Sequence, residues 1–385
     1  HFVYIGTVAE TGARTYPIHW GRVGDPLNPS IFDYYALSKV FSEMAVFDSG
    51  LKHWVSIRQT GQHPSAEGAG EEPIIFHQPA NNVLEWSTSI ESGICMANVC
   101  EDWVPESFWR KGYNLSSGPE YRLSCWELTD MMMEPFGISI KDLYDADALP
   151  LYNFHGQYYT DSKVLDDYLH FRCIPGAMYW GGVKDEMTRM ANNPMIRAMF
   201  PTKEQMYLHN KEIGAKKGGL YYALEHGDEN WIKAFYGSAE KRAAIGTWDD
   251  VELFHASEEN ETYLNHGYDE SKGLENLTLE DLQKAAAYRG GKCLAEVVPA
   301  DIYTPITWEC ADGHVFKLSV NAVLQGGHWC PECYESTWHY ADIAKKNQFY
   351  AQVWTPLHGD EDDYVIPMEF SPFKIWNELK EKLCL

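Results

Sequence analysis

The chain has 385 residues, room for two or three domains, and 45% hydrophobic with 23% charged residues describes an ordinary soluble globular protein. A formal charge of −25 argues against nucleic acid or an anionic membrane as partner, because either needs a basic footprint. No apolar run approaches ~20 residues, so no membrane span is expected, and nine cysteines, an odd number, form no disulfide framework and fit the cytosol.

Phe2-Val3-Tyr4-Ile5 reads as an apolar strand running into Gly6-Thr7-Val8-Ala9-Glu10-Thr11-Gly12. A helix follows, with Ser30 as its cap, Asp33 three residues on as in a capping box, and an end at Asp48-Ser49-Gly50. It carries Tyr35-Ala36-Leu37-Ser38-Lys39, whose Tyr and Lys share one helical face a turn apart. An ammonium held beside a phenol favours the phenolate. Thr7 adds a hydroxyl to hold a substrate oxygen. Together the three residues suit proton transfer coupled to hydride transfer at a carbinol or ketone. A Tyr-x-x-x-Lys pair alone occurs by chance on many solvated helices, so its setting carries the reading. Trp54-Val55-Ser56-Ile57-Arg58 is a second strand, with Arg58 starting the polar loop that Gln59-Thr60-Gly61-Gln62-His63-Pro64 continues.

Strand, hydroxyl loop, Tyr/Lys helix and strand in this order resemble the extended short-chain dehydrogenase/reductase family, the NAD-dependent epimerase/dehydratase type. Asn82-Val83-Leu84-Glu85-Trp86 with a helix from Ser89 to Glu101 is similar to that family's segment after its sixth strand. Gly112 to Gly118 resembles its later short strand, leading to a helix from Trp126 to Pro135. Tyr159-Thr160-Asp161-Ser162-Lys163 and its continuation to Leu169 resemble the closing D-S-x-K helix. The resemblance implies Thr7, Tyr35 and Lys39 as catalytic residues, with Tyr35 as general acid/base. It also implies NAD or NADP as cofactor, met by Tyr35 and by Lys39 at the nicotinamide ribose, with Gln59, Thr60 and Gly61 bordering the nicotinamide. A small-molecule substrate, of which nucleotide sugars are the commonest, and a homodimer are implied in the same way. The loop after Arg58 lacks the asparagine many members carry, which bears on the substrate pose.

No G-x-x-G-x-x-G or G-x-G-x-x-G turn opens a helix near the start of the chain, and such a turn is what brings a pyrophosphate to a helix N-terminus. At 30 or more residues per βαβ unit, roughly 100 residues would supply it. The chain is therefore read as a piece of a longer enzyme, and residues 1–385 alone are expected to bind NAD poorly.

Residues 174–260 carry helical segments rich in aromatics and Met, among them Met178-Tyr179-Trp180, Tyr221-Tyr222 and Trp231 to Tyr236, read as core first and pocket lining second. Cys95, Cys100, Cys125 and Cys173 read as small buried hydrophobes. Glu258-Glu259-Asn260-Glu261 and Asp269 to Gly273 look like a solvated linker before a helix from Leu279 to Arg289.

Cys310-Ala311-Asp312-Gly313-His314 is followed, after fifteen intervening residues, by Cys330-Pro331-Glu332-Cys333. Two close ligand pairs on a short connection suit a tetrahedral structural Zn2+ held by Cys310, His314, Cys330 and Cys333. The stretch resembles treble-clef or zinc-ribbon modules. Cys293 is a rival ligand, His328 and His339 weaker ones. Lys317 is the only Lys or Arg between Cys310 and Cys333, so a stabilising or protein-contacting role is preferred over nucleic-acid binding. Asp360-Glu361-Asp362-Asp363 lacks the glycine and distal glutamate of a Ca2+ loop and reads as a solvated turn, before a final amphipathic helix near Ile375 to Leu383.

The expected fold is α/β: the C-terminal part of a Rossmann-like doubly wound parallel sheet over residues 1–172, a mainly helical substrate lobe over 173–260, a small zinc-binding α+β module over 261–340 and an extension over 341–385. The expected function is an NAD(P)-dependent oxidoreductase, epimerase or dehydratase in the cytoplasm. The competing expectation is a non-catalytic scaffold built on a degenerate dehydrogenase lobe and a structural zinc module.

Overall fold

A computed structural model describes residues 1–63, 72–199, 202–255, 260–359 and 361–383. Pro64, Glu258, Glu259 and Asp360 of the segments read above lie outside the described residues.

Strand β1 (Phe2–Thr7) pairs in parallel with the strand Trp54–Gln59, which pairs in parallel with the strand Lys111–Leu115. Thr7 stands opposite Gln59 and Gln59 opposite Leu115, so the three carboxyl ends are level. Parallel neighbours need a crossover between them. The first crossover contains helix α1 (Tyr34–Phe47).

Side chains of Trp54–Gln59 alternate between the two faces, as the pleat requires. Val55 and Ile57 join a cluster with Cys95, Val99, Leu165 and Leu169 on one face. On the other, under α1, Trp54 packs on Phe47 with ring centroids 4.6 Å apart, and Ser56 and Arg58 bond to Glu43. Both faces are covered, the usual condition for a parallel sheet. Arg58 therefore lies inside a strand with no exposed side-chain surface; it does not start a loop.

Helix α1 starts at Tyr34, later than Ser30 would have it. Phe32 takes a positive φ of 72°, which breaks any helical run from Ser30. Asp33 is the cap, accepting from the Ala36 N–H at 2.8 Å.

The Cys/His segment forms a three-stranded antiparallel sheet of Lys292–Cys293, Pro305–Glu309 and Val315–Ser319, followed by a short helix Val320–Leu324 capped by Ser319. It is not a free-standing bead. Trp308, Phe316 and Cys330 share one apolar cluster with Met44, Val46, Phe47 and Trp54. A second large cluster joins Leu37 and Phe41 to Trp231, Phe235 and Tyr236, and to Trp338 and Trp354. Trp231, Phe235 and Tyr236 are thus core, whereas Met178 is 64% exposed.

The two segments read as solvated are largely exposed, but each sends one side chain inward. Asp362 is buried, accepting from Tyr152, from Lys241 at 2.8 Å, and facing His358 at 3.1 Å. Three partners make its burial tolerable. Glu270 forms a double contact with Arg22 and an ion pair with His266, pinning its segment to the β1–α1 connection. Of the four cysteines read as buried, Cys95 and Cys125 are, while Cys100 and Cys173 are exposed. Among the described residues no helix is long and apolar enough to cross a membrane.

Candidate functional site

The sheet places Thr7 at its carboxyl end, where ligands of open α/β sheets bind. Thr7 is buried and caps the 3-10 turn Val8–Thr11, its Oγ1 accepting from the Ala9 N–H at 3.2 Å, which leaves the hydroxyl proton to donate. Glu10 closes the same turn by accepting from the Thr7 N–H at 3.1 Å.

Helix α1 runs back along β1. Phe47 sits on Trp54 at the amino end of the sheet, and Lys39 reaches Ile5. Tyr35, one turn earlier, lies about 6 Å further toward the carboxyl ends. Because the Phe2 N–H donates to His53, the Phe2, Tyr4 and Gly6 amides face the neighbouring strand, while Val3 and Ile5 turn theirs to the edge that pairs with no other strand among the described residues. The Lys39 ammonium donates to that outward Ile5 carbonyl at 2.8 Å and lies 5.1 Å from the Tyr4 ring centroid and 5.7 Å from that of Tyr35. Tyr35 is 59% exposed. The structure thus brings Tyr35 and Lys39 together beside β1, with Thr7 at the end of the same strand.

Gln59 ends the central strand, and Thr60 and Gly61 follow it at the same level. Their backbone is committed to the chain itself: Thr60 N–H donates to Leu115, and the Gly61 carbonyl accepts from Ser87. A Cβ on Gly61 would sit 2.8 Å from the Trp86 ring, so this glycine makes room for Trp86. The other two strand ends are filled likewise. Gly12 has φ 66° and a Cβ there would lie 1.5 Å from the Asn28 carbonyl oxygen. Beyond Leu115, Arg172 donates to the Ser116 carbonyl at 3.0 Å and to its hydroxyl at 3.1 Å. None of the three described strand ends forms a cradle into which a pyrophosphate would fit.

Beneath the Tyr/Lys surface is a buried ionic cluster that sequence reasoning missed. Arg58 Nη2 lies 2.6 Å from Glu43 Oε2 and its Nε 3.7 Å from Glu10 Oε2, with no exposed surface on any of the three side chains. Burial pushes both carboxyls up. For Glu43 the Arg58 charge and the His328 contact outweigh burial and hold it below the usual carboxylate range. For Glu10 burial and the Glu43 charge prevail over Arg58, and its carboxyl is held well above that range. The available signal was spacing: Tyr35, Lys39 and Glu43 recur every four residues.

The second constellation is compact. Cys310, His314, Cys330 and Cys333 offer one donor atom each, all within 4.8 Å of one another. Cys330 Sγ is 3.6 Å and Cys333 Sγ 3.7 Å from His314 Nδ1, and the Cys310 and Cys333 sulfurs are 4.0 Å apart. Tetrahedral zinc with Zn–S near 2.3 Å and Zn–N near 2.0–2.1 Å calls for sulfur–sulfur separations of about 3.8 Å and sulfur–nitrogen of about 3.5 Å. The donor set therefore fits a tetrahedral cation without rearrangement. Mutual contacts among the three thiols pull Cys310 down from the usual thiol range and push Cys330 and Cys333 up. His314 Nε2 lies 3.9 Å from Glu332 Oε2, a carboxylate placed behind the imidazole. Cys293 is paired into the sheet opposite Trp308, His328 faces Glu43, and His339 bonds to Thr337; none belongs to the cluster.

No protein-family model matches the chain, and no curated protein matches it. Among solved structures it is similar to dTDP-glucose 4,6-dehydratase from Bacillus anthracis str. Ames in complex with NAD, at 14% identity over 50% of this chain and 62% of that one, with a TM-score of 0.37. It is also similar to a mutant UDP-glucuronic acid 4-epimerase from Bacillus cereus in complex with UDP-4-deoxy-4-fluoro-glucuronic acid and NAD, at 12% identity over 49% and 62%, with a TM-score of 0.33. The chain spans less than two thirds of the length of either.

Proposed function

We propose that this chain carries the proton-transfer face of an NAD(P)-dependent oxidoreductase of the epimerase/dehydratase type. The observation that supports it is the placement of an exposed Tyr35 beside the Lys39 ammonium at the outward edge of a parallel strand that ends in Thr7. In this reading the Tyr35 hydroxyl takes the proton from a carbinol oxygen or returns it to a ketone oxygen. Lys39 holds its charge 5.7 Å from the Tyr35 ring, and Thr7 donates its hydroxyl proton to the same substrate oxygen. The described strand ends do not fit a pyrophosphate, so these residues account for the proton and for nothing else in the reaction. A nucleotide sugar is the substrate class the reading favours.

The test is Tyr35→Phe on the full chain, supplied with NAD or NADP and a panel of nucleotide sugars, with reduced-nicotinamide fluorescence and product mass as readouts. The expected result is that Tyr35→Phe abolishes whatever turnover the parent chain shows, which the poor fit of the described strand ends to a pyrophosphate keeps small. A chain inert with every pair, or a fully active Tyr35→Phe, removes the reading.

A second reading is favoured by the same filled strand ends together with the Cys/His cluster. A lobe without a dinucleotide cradle, fused through one core to a structural Zn2+ held by Cys310, His314, Cys330 and Cys333, would serve as a scaffold. Four protein ligands leave no open position on the zinc for a substrate, so zinc is structural under either reading.

A further inference from the structure

Two linked contacts through Glu43 and Arg58, and one shared cavity, join the turn that carries Cys330 and Cys333 to the helix that carries Tyr35 and Lys39. His328, two residues before Cys330, brings Nε2 to 3.0 Å from Glu43 Oε2, with both side chains fully enclosed. The Gly326 carbonyl accepts from Arg58 Nη2 at 2.7 Å, and the same guanidinium nitrogen holds Glu43. A small cavity of about 50 Å³ is lined by Val40, Phe41 and Met44 of α1 on one side and by Cys330, Cys333 and Tyr334 on the other. The turn itself has no slack. A Cβ on Gly326 would lie 2.7 Å from His328 and 3.0 Å from Phe47, and one on Gly327, at φ 75°, 2.1 Å from the Asp25 carbonyl oxygen.

A cation bound by Cys310, His314, Cys330 and Cys333 fixes the spacing of these four residues and with it the turn 326–334. That turn grips α1 at Glu43, one helical turn beyond Lys39. We propose that metal occupancy of this cluster sets the order of α1, and so the placement of Tyr35 and Lys39, with Glu43 and His328 as positioning residues. The significance for catalysis rests on the proton-transfer reading of Tyr35 and Lys39; the mechanical coupling does not. Metal loss would leave Arg58 and Glu43 paired but would free the wall of the cavity and the Gly326 and His328 contacts, loosening the helix from its far side.

Amide hydrogen exchange on the full chain tests this, comparing protein loaded with one equivalent of Zn2+ and the same protein after chelation. The expected result is exchange of the amides from Val40 to Phe47 at least about tenfold faster after chelation, with those of the helix Ser162–Leu169, on the opposite face of the sheet, changing less than about twofold. His328→Ala is expected to keep one zinc per chain and to lose most of that zinc-dependent protection. Equal exchange of α1 with and without zinc overturns the coupling. So does loosening that extends equally to Ser162–Leu169, because the effect is then global, and so does full zinc-dependent protection in His328→Ala. A chain that takes up no zinc overturns the coupling together with the metal. Zinc-dependent protection of α1 in a chain whose Tyr35→Phe variant is as active as the parent keeps the coupling and removes only the proton-transfer reading.

Discussion

Arg58 and Glu43 form a double contact, Nη2 to Oε2 at 2.6 Å and Nε to Oε1 at 3.0 Å, with no exposed surface on either side chain. Such a pair stabilises little relative to apolar residues of the same shape, yet breaking it is expensive, because it strands one buried charge. Glu43→Ala is expected to cost about 3–5 kcal/mol, seen as a lower midpoint in urea unfolding. Replacing both residues together, Glu43→Leu with Arg58→Met, is expected to cost far less than the sum of the single changes. Additive losses would show that the pair is not coupled.

Tyr35 is more than half exposed. Tyr35→Phe is therefore expected to leave unfolding unchanged within about 0.5 kcal/mol while lowering any turnover by about 10²–10⁴-fold. Lys39→Met loses both the charge near the ring and the bond to the Ile5 carbonyl, so it is expected to lower turnover and, slightly, stability. A Tyr35→Phe protein that unfolds much more easily would assign the hydroxyl a packing role and weaken any catalytic one.

Zinc stoichiometry is the direct check on the Cys/His cluster. One zinc per chain is expected, with three sulfurs and one nitrogen at about 2.3 Å and 2.0 Å by X-ray absorption. Cys333→Ser, at the most accessible of the three sulfurs, is expected to weaken binding and to lower the thermal midpoint, since binding energy at such a site is folding energy. Because Cys330 lies in the same apolar cluster as Phe47 and Trp54, that loss should reach helix α1 and the sheet face beneath it as well as the module. Unaltered melting on full chelation would separate the metal from the fold.

What was legible in the sequence is what is local. The Tyr35–Lys39 adjacency follows from helical periodicity, and the Cys310–His314 and Cys330–Cys333 pairs from tight spacing on turns. Partners distant in the chain were not legible. Glu43 continues the Tyr35–Lys39 stripe, which reads as a solvated face. Yet each four-residue step advances the helix by about 40° beyond a full turn, so two steps carry Glu43 from the exposed edge to the underside, onto Arg58. Asp362 sits in an acidic run whose composition says solvent; only the fold brings Tyr152, Lys241 and His358 to it. Ser30 failed as a cap because of the positive φ at Phe32, a backbone choice that no residue type there announces.

His266 gives the sharpest pH dependence. Its Nε2 bonds to Asp25 Oδ1 at 2.9 Å, and its Nδ1 lies 2.9 Å from Glu270 Oε1, out of line for a hydrogen bond but close enough for an ion pair. Burial alone would lower the imidazole pKa; the two carboxylates outweigh it, and the net shift is upward. The folded state then holds a proton that the unfolded chain releases above about pH 6.5, so the unfolded state binds fewer protons and stability falls as pH rises through that window. The contribution is fully present below about pH 6.5 and is lost as pH passes the folded value. His266→Gln removes it. The gap in urea midpoint between parent and variant is expected to be widest near pH ~6 and to narrow toward pH ~9. A gap that stays constant across that range would mean that His266 is neutral in the folded protein and that Asp25 holds it by a hydrogen bond alone.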